Sequence, residues 1–415
     1  MSGSNVDILA LDAADVLHAA NFYTVKVRRI SSIGLNEDRG TSTEATGFLV
    51  DRKRGWIVTN AHVASRSPAV LSLSFKGHAY LPARRLFVDR FSDVAILAVD
   101  SLLLPTTALE AQLDCGRLPR VGTSVAIFGH PGDFSYTATR GIVSSVSWIF
   151  PGEMIQSDAA VNGGNSGGPM IDLATGKVIG IAAATYRDTE DKYSTATSMS
   201  EPIPPVCQIL ELLKAGKDAR YRQLPVALAS AEDDDRPIVA RVLDEASGFE
   251  LGDLILTAGG RDIRNMSDLA AVLRGQTQAV PIMVERNGSK VELKAKAEAS
   301  KDVLAARSID LSGLIISEPW KLDQAELGAD RLPVIDFVRP GSPAALIRAY
   351  PGYQLVSVDR KSFTNLEDLY GYLVRLPQGA SVSLILKASY DDGRFYHQYF
   401  QAILPAETIE LISPS

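Results

Sequence analysis

The chain has 415 residues, a net charge of −7, and 46% hydrophobic against 22% charged residues, which is enough apolar matter for about three ordinary domains. An acidic balance argues against nucleic acid or an anionic membrane as partner, and no apolar run reaches the roughly 20 residues that cross a bilayer. The two cysteines, Cys115 and Cys207, are too few for a disulfide framework or a thiolate metal site; whether they pair is left open.

In chain order, residues 1–22 lack the basic start and unbroken apolar core of a secretory signal, because Asp7, Asp12 and Asp15 interrupt them. Leu9, Ala13, Val16 and Ala20 instead fit one face of a short helix. As written this predicts a cytoplasmic chain; a leader trimmed upstream would make it periplasmic or otherwise exported. From Tyr23 to Pro202 the pattern changes to short strands broken at Gly, Asp or Pro: YTVKVRRI, ATGFLVD, GWIVTNA, VLSLSF, DVAILAVD, TSVAIFG, ATRGIVSSVSW and KVIGIAAATY. That spacing predicts all-β barrels or sandwiches rather than a parallel sheet with crossover helices. PPVCQILELLKAG follows, with Pro205 near its start and Gly216 past its end, and predicts a helix at a domain boundary.

The remainder contains a repeat. GDLILTAGGRDIRNMSDLAAVL, from Gly252, aligns without gaps on GYQLVSVDRKSFTNLEDLYGYL, from Gly352. Each copy reads as strand, turn and a helix that Asn265 or Asn365 can cap. Two copies of one small module are expected.

The chemistry centres on VNGGNSGGP, Val161 to Pro169. Its G-x-S-x-G letters are those of an α/β-hydrolase elbow, which requires strand, turn and helix, with Asp and then His later in the chain. Only His397 follows Ser166, inside the second repeat, and the flanking sequence continues as strands. The elbow reading fails, and an esterase with it. The order His, Asp, Ser can be filled: TNAHV supplies His62, SDVAIL supplies Asp93, and the glycine-rich run supplies Ser166. A serine hydroxyl attacks only when a base takes its proton and a third group fixes the base's tautomer, so these three types in this order point to acyl transfer. HExxH, Walker and CxxC patterns are absent, so no metal or cofactor is expected.

ATGFLVD, TNAHV, SDVAIL and SDAAVNGGNSGGP together resemble the HtrA (Deg) serine proteases of the chymotrypsin class, and the resemblance runs from about Tyr23 to Ala406. It implies a mainly β fold: a chymotrypsin-like double β-barrel followed by two small α+β PDZ domains. The corresponding boundaries are residues 1–22 for an N-terminal helical segment, 23–216 for the protease with its linker helix, 217–300 for the first PDZ domain and 301–415 for the second. It makes His62 the general base, Asp93 its orienter and Ser166 the nucleophile, with the N–H groups of Gly164 and Ser166 as oxyanion hole. The Gly163-Gly164 pair departs from the family's bulkier residue or proline, and predicts a loop that substrate or a partner must order.

Trypsin-like enzymes that cut after basic residues carry Asp six positions before the nucleophile, where this chain has Ala160. With Val161 and Ile181 it would line a small apolar pocket preferring aliphatic side chains, and Ile181, Ala182 and Ala183 would pair with the substrate backbone. The alternative is that these are barrel-core residues only. In the second repeat, Ser312, Gly313, Leu314 and Ile315 would form the loop that captures a peptide carboxylate. The first has Pro225 at that place, lacks the N–H, and is expected to bind C-termini poorly. The family implies unfolded or damaged proteins as substrates, peptide C-termini as ligands, and a homo-oligomer, trimeric or a multiple, for which Phe22-Tyr23 resembles the contact. The competing class is a PDZ scaffold or holdase with a silent protease domain.

Overall fold

The computed structural model describes residues 12–35, 42–149, 152–186, 197–231, 234–300, 302–318, 332–391 and 395–413. Helix α1 (Ala13–Tyr23) opens on Asp12, whose side chain accepts the Ala14 N–H at 2.9 Å. It buries Val16, Ala20 and Tyr23; Leu9 of the expected apolar face lies outside the described residues.

Six strands follow: β1 (Thr24–Ser31), β2 (Ser42–Asp51), β3 (Trp56–Thr59), β4 (Ala69–Ser74), β5 (Leu81–Asp89) and β6 (Val94–Ala98), with the four-residue helix α2 (Ala61–Ala64) between β3 and β4. They close into a barrel in the order β1-β2-β3-β6-β5-β4. Every residue of β3 and β6 is buried, which is why WIVT and VAILA are continuous apolar runs rather than alternations. A second closed barrel is made by β7 (Ser124–Gly129), β8 (Thr137–Ile149), β9 (Gly152–Ser157), β10 (Pro169–Asp172), β11 (Val178–Tyr186) and β12 (Thr197–Pro202), ordered β10-β11-β12-β9-β8-β7. Closure removes the unpaired edges that an open sheet of such strands would expose. This is the double β-barrel expected of the chymotrypsin class.

Helix α3 (Ile203–Lys214) starts directly after Pro202, with prolines in its first turn where their missing N–H costs nothing, and stops before Gly216. It buries Ile203, Val206, Ile209 and Leu210. Cys207 in this helix is bonded to Cys115 in the connection between the barrels, at a Cα separation of 5.8 Å. The open question about the cysteines is thereby answered: they pair, around a 92-residue stretch that encloses the whole second barrel.

The repeat becomes two sheet-and-helix modules. The first comprises β13 (Arg222–Gln223), β14 (Val226–Ala231), β15 (Asp234–Val242), β16 (Leu254–Ala258), β17 (Arg261–Asp262), α4 (Met266–Leu273), β18 (Val280–Arg286), β19 (Ser289–Ala295) and β20 (Glu298–Ala299). The second comprises β21 (Ser308–Leu311), β22 (Leu314–Ser317), β23 (Val334–Val338), β24 (Gln354–Val358), α5 (Leu366–Leu373), β25 (Ser381–Asp391), β26 (Phe395–Pro405) and β27 (Ile409–Ile412). Asn265 and Asn365 each accept the N–H three residues on, at 2.8 Å, so both helices are capped as the repeat predicts. Leu269 and Leu273 of α4 pack on Ile255 and Ile282, and Leu369 and Leu373 of α5 on Leu355 and Leu384.

The copies differ at one sheet edge. In the first module the order is β14-β15-β16-β18-β19, so β14 has a partner on one side only among the described residues. In the second it is β26-β25-β24-β23-β22-β21-β27, so β22 is flanked on both sides.

Contacts divide the chain into two units. One holds Met1–Arg29, Thr43–Ala64 and Leu71–Ser300; the other holds Ile30–Ser42, Ser65–Val70 and Lys301–Ser415. Inside the second unit Arg66 and Asp336 form a buried ion pair at 2.8 Å, and Ile33 and Leu35 cover Ile315. No helix among the described residues is long and apolar enough to cross a membrane.

Candidate active site

His62 stands on α2, in the turn that follows strand β3. Asp93 precedes β6 and holds it at two points. Its Oδ2 accepts the ring Nδ1–H at 2.7 Å and its Oδ1 accepts the His62 backbone N–H at 3.0 Å. With Nδ1 carrying the proton, Nε2 presents a lone pair, the state required of a general base. Asp93 lies in the left-handed region at φ +43°, where Asp is tolerated better than most residues. That backbone turn sends its carbonyl to Ala61 N–H and Asn60 Nδ2, both at 3.0 Å, while the carboxylate faces the histidine.

Ser166 sits half-buried in the loop between β9 and β10, and its hydroxyl donates to Ala183 O at 3.0 Å. The loop lies against the end of β3: a Cβ on Gly167 would fall 2.1 Å from both Thr46 O and Thr59 Oγ1. At φ +83° and with no room, only glycine fits there. Gly164 is equally constrained, at φ +100° with His130 O 2.2 Å from an added Cβ.

Every carbonyl from 162 to 166 is claimed. Asn162 O accepts Asn165 N–H at 3.0 Å, Gly163 O accepts Gly132 N–H at 2.9 Å, and Asn165 O accepts Gly168 N–H at 2.9 Å. Thr46 takes the other two: its Oγ1 donates to Gly164 O at 2.7 Å and its N–H to Ser166 O at 2.9 Å. In a trans peptide C=O and N–H point in opposite directions, so fixing Gly163 O and Asn165 O turns the N–H groups of Gly164 and Ser166 the other way. Neither has an acceptor among the described residues. The freedom expected of the double glycine is therefore opposed by five hydrogen bonds, two within the loop, one from Gly132 and two from Thr46.

Several expected binding residues have other places. Ile181 and Ala182 are fully buried and Val161 is 6% exposed; Val161 and Ala182 belong to the apolar core of the second barrel. Of the proposed pocket only Ala160 is exposed. The backbone of Ala182 is also engaged, accepting Gly167 N–H and donating to Gly168 O, both at 2.8 Å, while β12 pairs along the other side of β11. Strand addition at Ile181-Ala182 is thus closed, and Ala183, through its carbonyl, is the first of the three that meets Ser166.

The carboxylate loop expected in the second module is corrected too. Ser312-Gly313 is the two-residue turn of a hairpin in which β21 pairs with β22. Gly313 N–H donates to Asp310 Oδ1 at 2.7 Å and Ser312 N–H to Thr408 O at 2.9 Å, and Leu314 and Ile315 are fully buried. A turn this short folds the preceding strand straight back onto β22, filling the edge where a peptide would add.

Sequence reasoning passed over two residues. Thr46, fully buried, lay within the quoted ATGFLVD, but a threonine in a strand carries no signal of its own. Glu201, opposite Ile181 in the β11–β12 pair, is a charged residue in an apolar setting, and that could have flagged it. It lines a cavity of about 610 Å³ with Phe91 and Ser92. Burial, and then the charges of Asp93 and Asp89, push its carboxyl well above the ordinary range. His130, beneath the loop, is 2% exposed and accepts Tyr136 N–H on Nδ1 at 3.1 Å; burial lowers it to about 4, so it is neutral.

The pattern for a trypsin-like peptidase domain matches residues 45–181, the stretch that contains all three candidate residues. A relative named "Probable periplasmic serine endoprotease DegP-like" from Pseudomonas fulva is 29% identical over 383 residues, 85% of this chain and 78% of the relative. One of the same description from Pseudomonas fluorescens is 28% identical over 379 residues, 84% of this chain and 78% of its own. Over most of its length the chain is similar to HtrA/DegP-like, trypsin-like serine proteases. Solved structures agree with the architecture of this chain. The HtrA-type protease AlgW with tripeptide superposes with a TM-score of 0.57 at 22% identity, covering 70% of this chain and 98% of that one. A serine endoprotease from Yersinia pestis gives 0.52 at 20% identity, covering 72% and 100%.

Proposed function

We propose that this HtrA-type endopeptidase cuts unfolded or damaged polypeptides with His62, Asp93 and Ser166 as its triad and the N–H groups of Gly164 and Ser166 as its oxyanion hole. The observation that carries the reading is the pair of unclaimed N–H donors beside a serine, in a loop where every neighbouring carbonyl is held. In turnover the Ser166 hydroxyl leaves Ala183 O by rotation about χ1 and turns to His62 Nε2, which takes the proton as Oγ attacks the scissile carbonyl. The carbonyl oxygen, now anionic, is received by the two N–H groups; each such donor is worth about 3–4 kcal/mol in the transition state. His62 then protonates the leaving amine, and water repeats the sequence on the acyl-enzyme.

A preference for aliphatic side chains rests on Ala160, neutral and exposed where a carboxylate would select a cation. We read the first module as the peptide-docking one, because among the described residues the edge of β14 is open while that of β22 is closed. Pro225 withholds one N–H there, so docking draws on strand addition more than on carboxylate capture. Homo-oligomer formation, with Leu109 bonded to Phe22 O and half-exposed, and residence in an oxidising compartment, favoured by the disulfide and by relatives named periplasmic, belong to the same reading.

The test is casein cleavage and fluorophosphonate labelling of the wild type beside Ser166→Ala. Cleavage and labelling lost only in the variant support the proposal. Equal inactivity of both, under heat and with activating peptides, favours the scaffold or holdase instead.

A further inference from the structure

We infer that Thr46 is a positioning residue for the oxyanion hole: a strand of the first barrel that sets the donors of a loop in the second. The inference rests on the endopeptidase reading above and goes beyond the triad. Thr46 lies on β2 and the nucleophile loop joins β9 to β10, so every bond between them spans the two barrels.

The direction of those bonds is forced. His130 N–H donates to Thr46 Oγ1 at 3.1 Å. Gly164 O can only accept, so the threonine hydrogen must point to it, along the 2.7 Å contact. The backbone of Thr46 fixes the other end of the loop, since its N–H donates to Ser166 O. Its own carbonyl is held by Thr59 Oγ1 at 2.7 Å, three residues before His62. One residue therefore grips the carbonyls of both Gly164 and Ser166 and is itself anchored to the strand that leads to the base.

The surroundings are close around it. Ideal Cβ atoms on Gly129 and Gly168 would lie 2.8 Å from Thr46 Oγ1 and 3.2 Å from its Cγ2. The side chain fills the space the glycines vacate. Losing the hydroxyl would strand the half-buried Gly164 O and the buried His130 N–H, and a free Gly164 carbonyl loosens the 164–165 peptide. The 163–164 peptide is then held only by Gly132 N–H on Gly163 O, and its tilting carries the Gly164 N–H off the oxyanion position. The effect should fall on kcat, because the hole is occupied only in the transition state.

Thr46→Val keeps the shape and removes the hydroxyl; Thr46→Ser keeps the hydroxyl. With a peptide substrate, Thr46→Val should lower kcat about 10- to 100-fold while KM stays within about threefold. Thr46→Ser should stay within about threefold of wild type in both. A peptide boronate, which mimics the tetrahedral state, should lose affinity in Thr46→Val in step with kcat. Amide exchange at residues 162–168 reads the latch without reference to turnover: it should quicken about tenfold or more in Thr46→Val but not in Thr46→Ser. Wild-type kcat in a folded Thr46→Val, a rise in KM instead of a fall in kcat, or equal losses in both variants would overturn the inference. If wild type and Ser166→Ala are equally inactive, it is the endopeptidase reading that fails, and the exchange data still decide whether Thr46 holds the loop. Should Thr46→Val not fold, Thr46→Ser still decides: a folded serine variant with impaired kcat or accelerated exchange contradicts the role given to the hydroxyl.

Discussion

Arg274, at the C-terminal end of α4 in the first module, forms an ion pair with Asp89 of the first barrel at 2.7 Å, and both side chains are 2% exposed. Arg274 also donates to Ser92 Oγ at 3.0 Å and to Ala219 O at 2.6 Å, so it grips the segment that ends in Asp93. The ion-pair contact is close but poorly aligned for a hydrogen bond at Asp89 Oδ2; its strength comes from charge. Removing one partner leaves the other charge buried alone, so Asp89→Ala should cost about 3–5 kcal/mol, and Asp89→Ala with Arg274→Met together should cost less than the first change alone. Urea unfolding followed by tryptophan fluorescence checks this; an additive double variant would contradict it.

Reducing Cys115–Cys207, or replacing both cysteines by serine, should lower stability by about 4–5 kcal/mol on the chain-entropy account of a loop this long. Thermal melts with and without dithiothreitol measure it. An unchanged melt would mean that the unfolded second barrel is already compact.

Asp93→Asn should fold normally and lose kcat by about 10⁴-fold, because an amide in place of the carboxylate no longer fixes Nδ1–H. A loss below tenfold would remove Asp93 from the triad.

His130 is neutral when folded, with its value lowered from 6.5 to about 4. Unfolding lets it take up a proton between those values, so its contribution to stability is complete above about pH 6.5 and lost as pH falls towards 4, amounting to about 3 kcal/mol. Glu201 acts in the opposite sense: its raised value favours the fold at low pH, and the benefit disappears as pH rises through that value. His130→Gln should flatten the acid limb of a melting-temperature profile, and Glu201→Gln should raise the neutral limb while leaving pH 4 unchanged. If neither limb moves, the two groups are not shielded as described.

A photoreactive C-terminal peptide bound to the full chain should label 224–231 and α4, not 308–317. Amidating its C-terminus should weaken binding less than about threefold, where an intact carboxylate loop would lose tenfold or more. Labels confined to 308–317 would reverse the assignment of the modules.

What the sequence determined by itself is what neighbouring residues encode. Strand spacing, the helix with prolines at its start, and the two Asn-capped helices of the repeat all follow from local periodicity and capping. TNAHV, SDVAIL and GNSGGP point to the proposed chemistry because the needed residues sit beside the turns that present them. Tertiary structure alone decided the rest, because each remaining point depends on a partner far away in the chain. Gly313 looks like a free donor until Asp310 and β21 are folded against it, and Ile181 looks like a pocket wall until the second barrel closes around it. Thr46 means nothing until Gly164, 118 residues on, arrives at its hydroxyl. A buried donor or acceptor acquires its role from the group that satisfies it, and that pairing is made only when the chain closes.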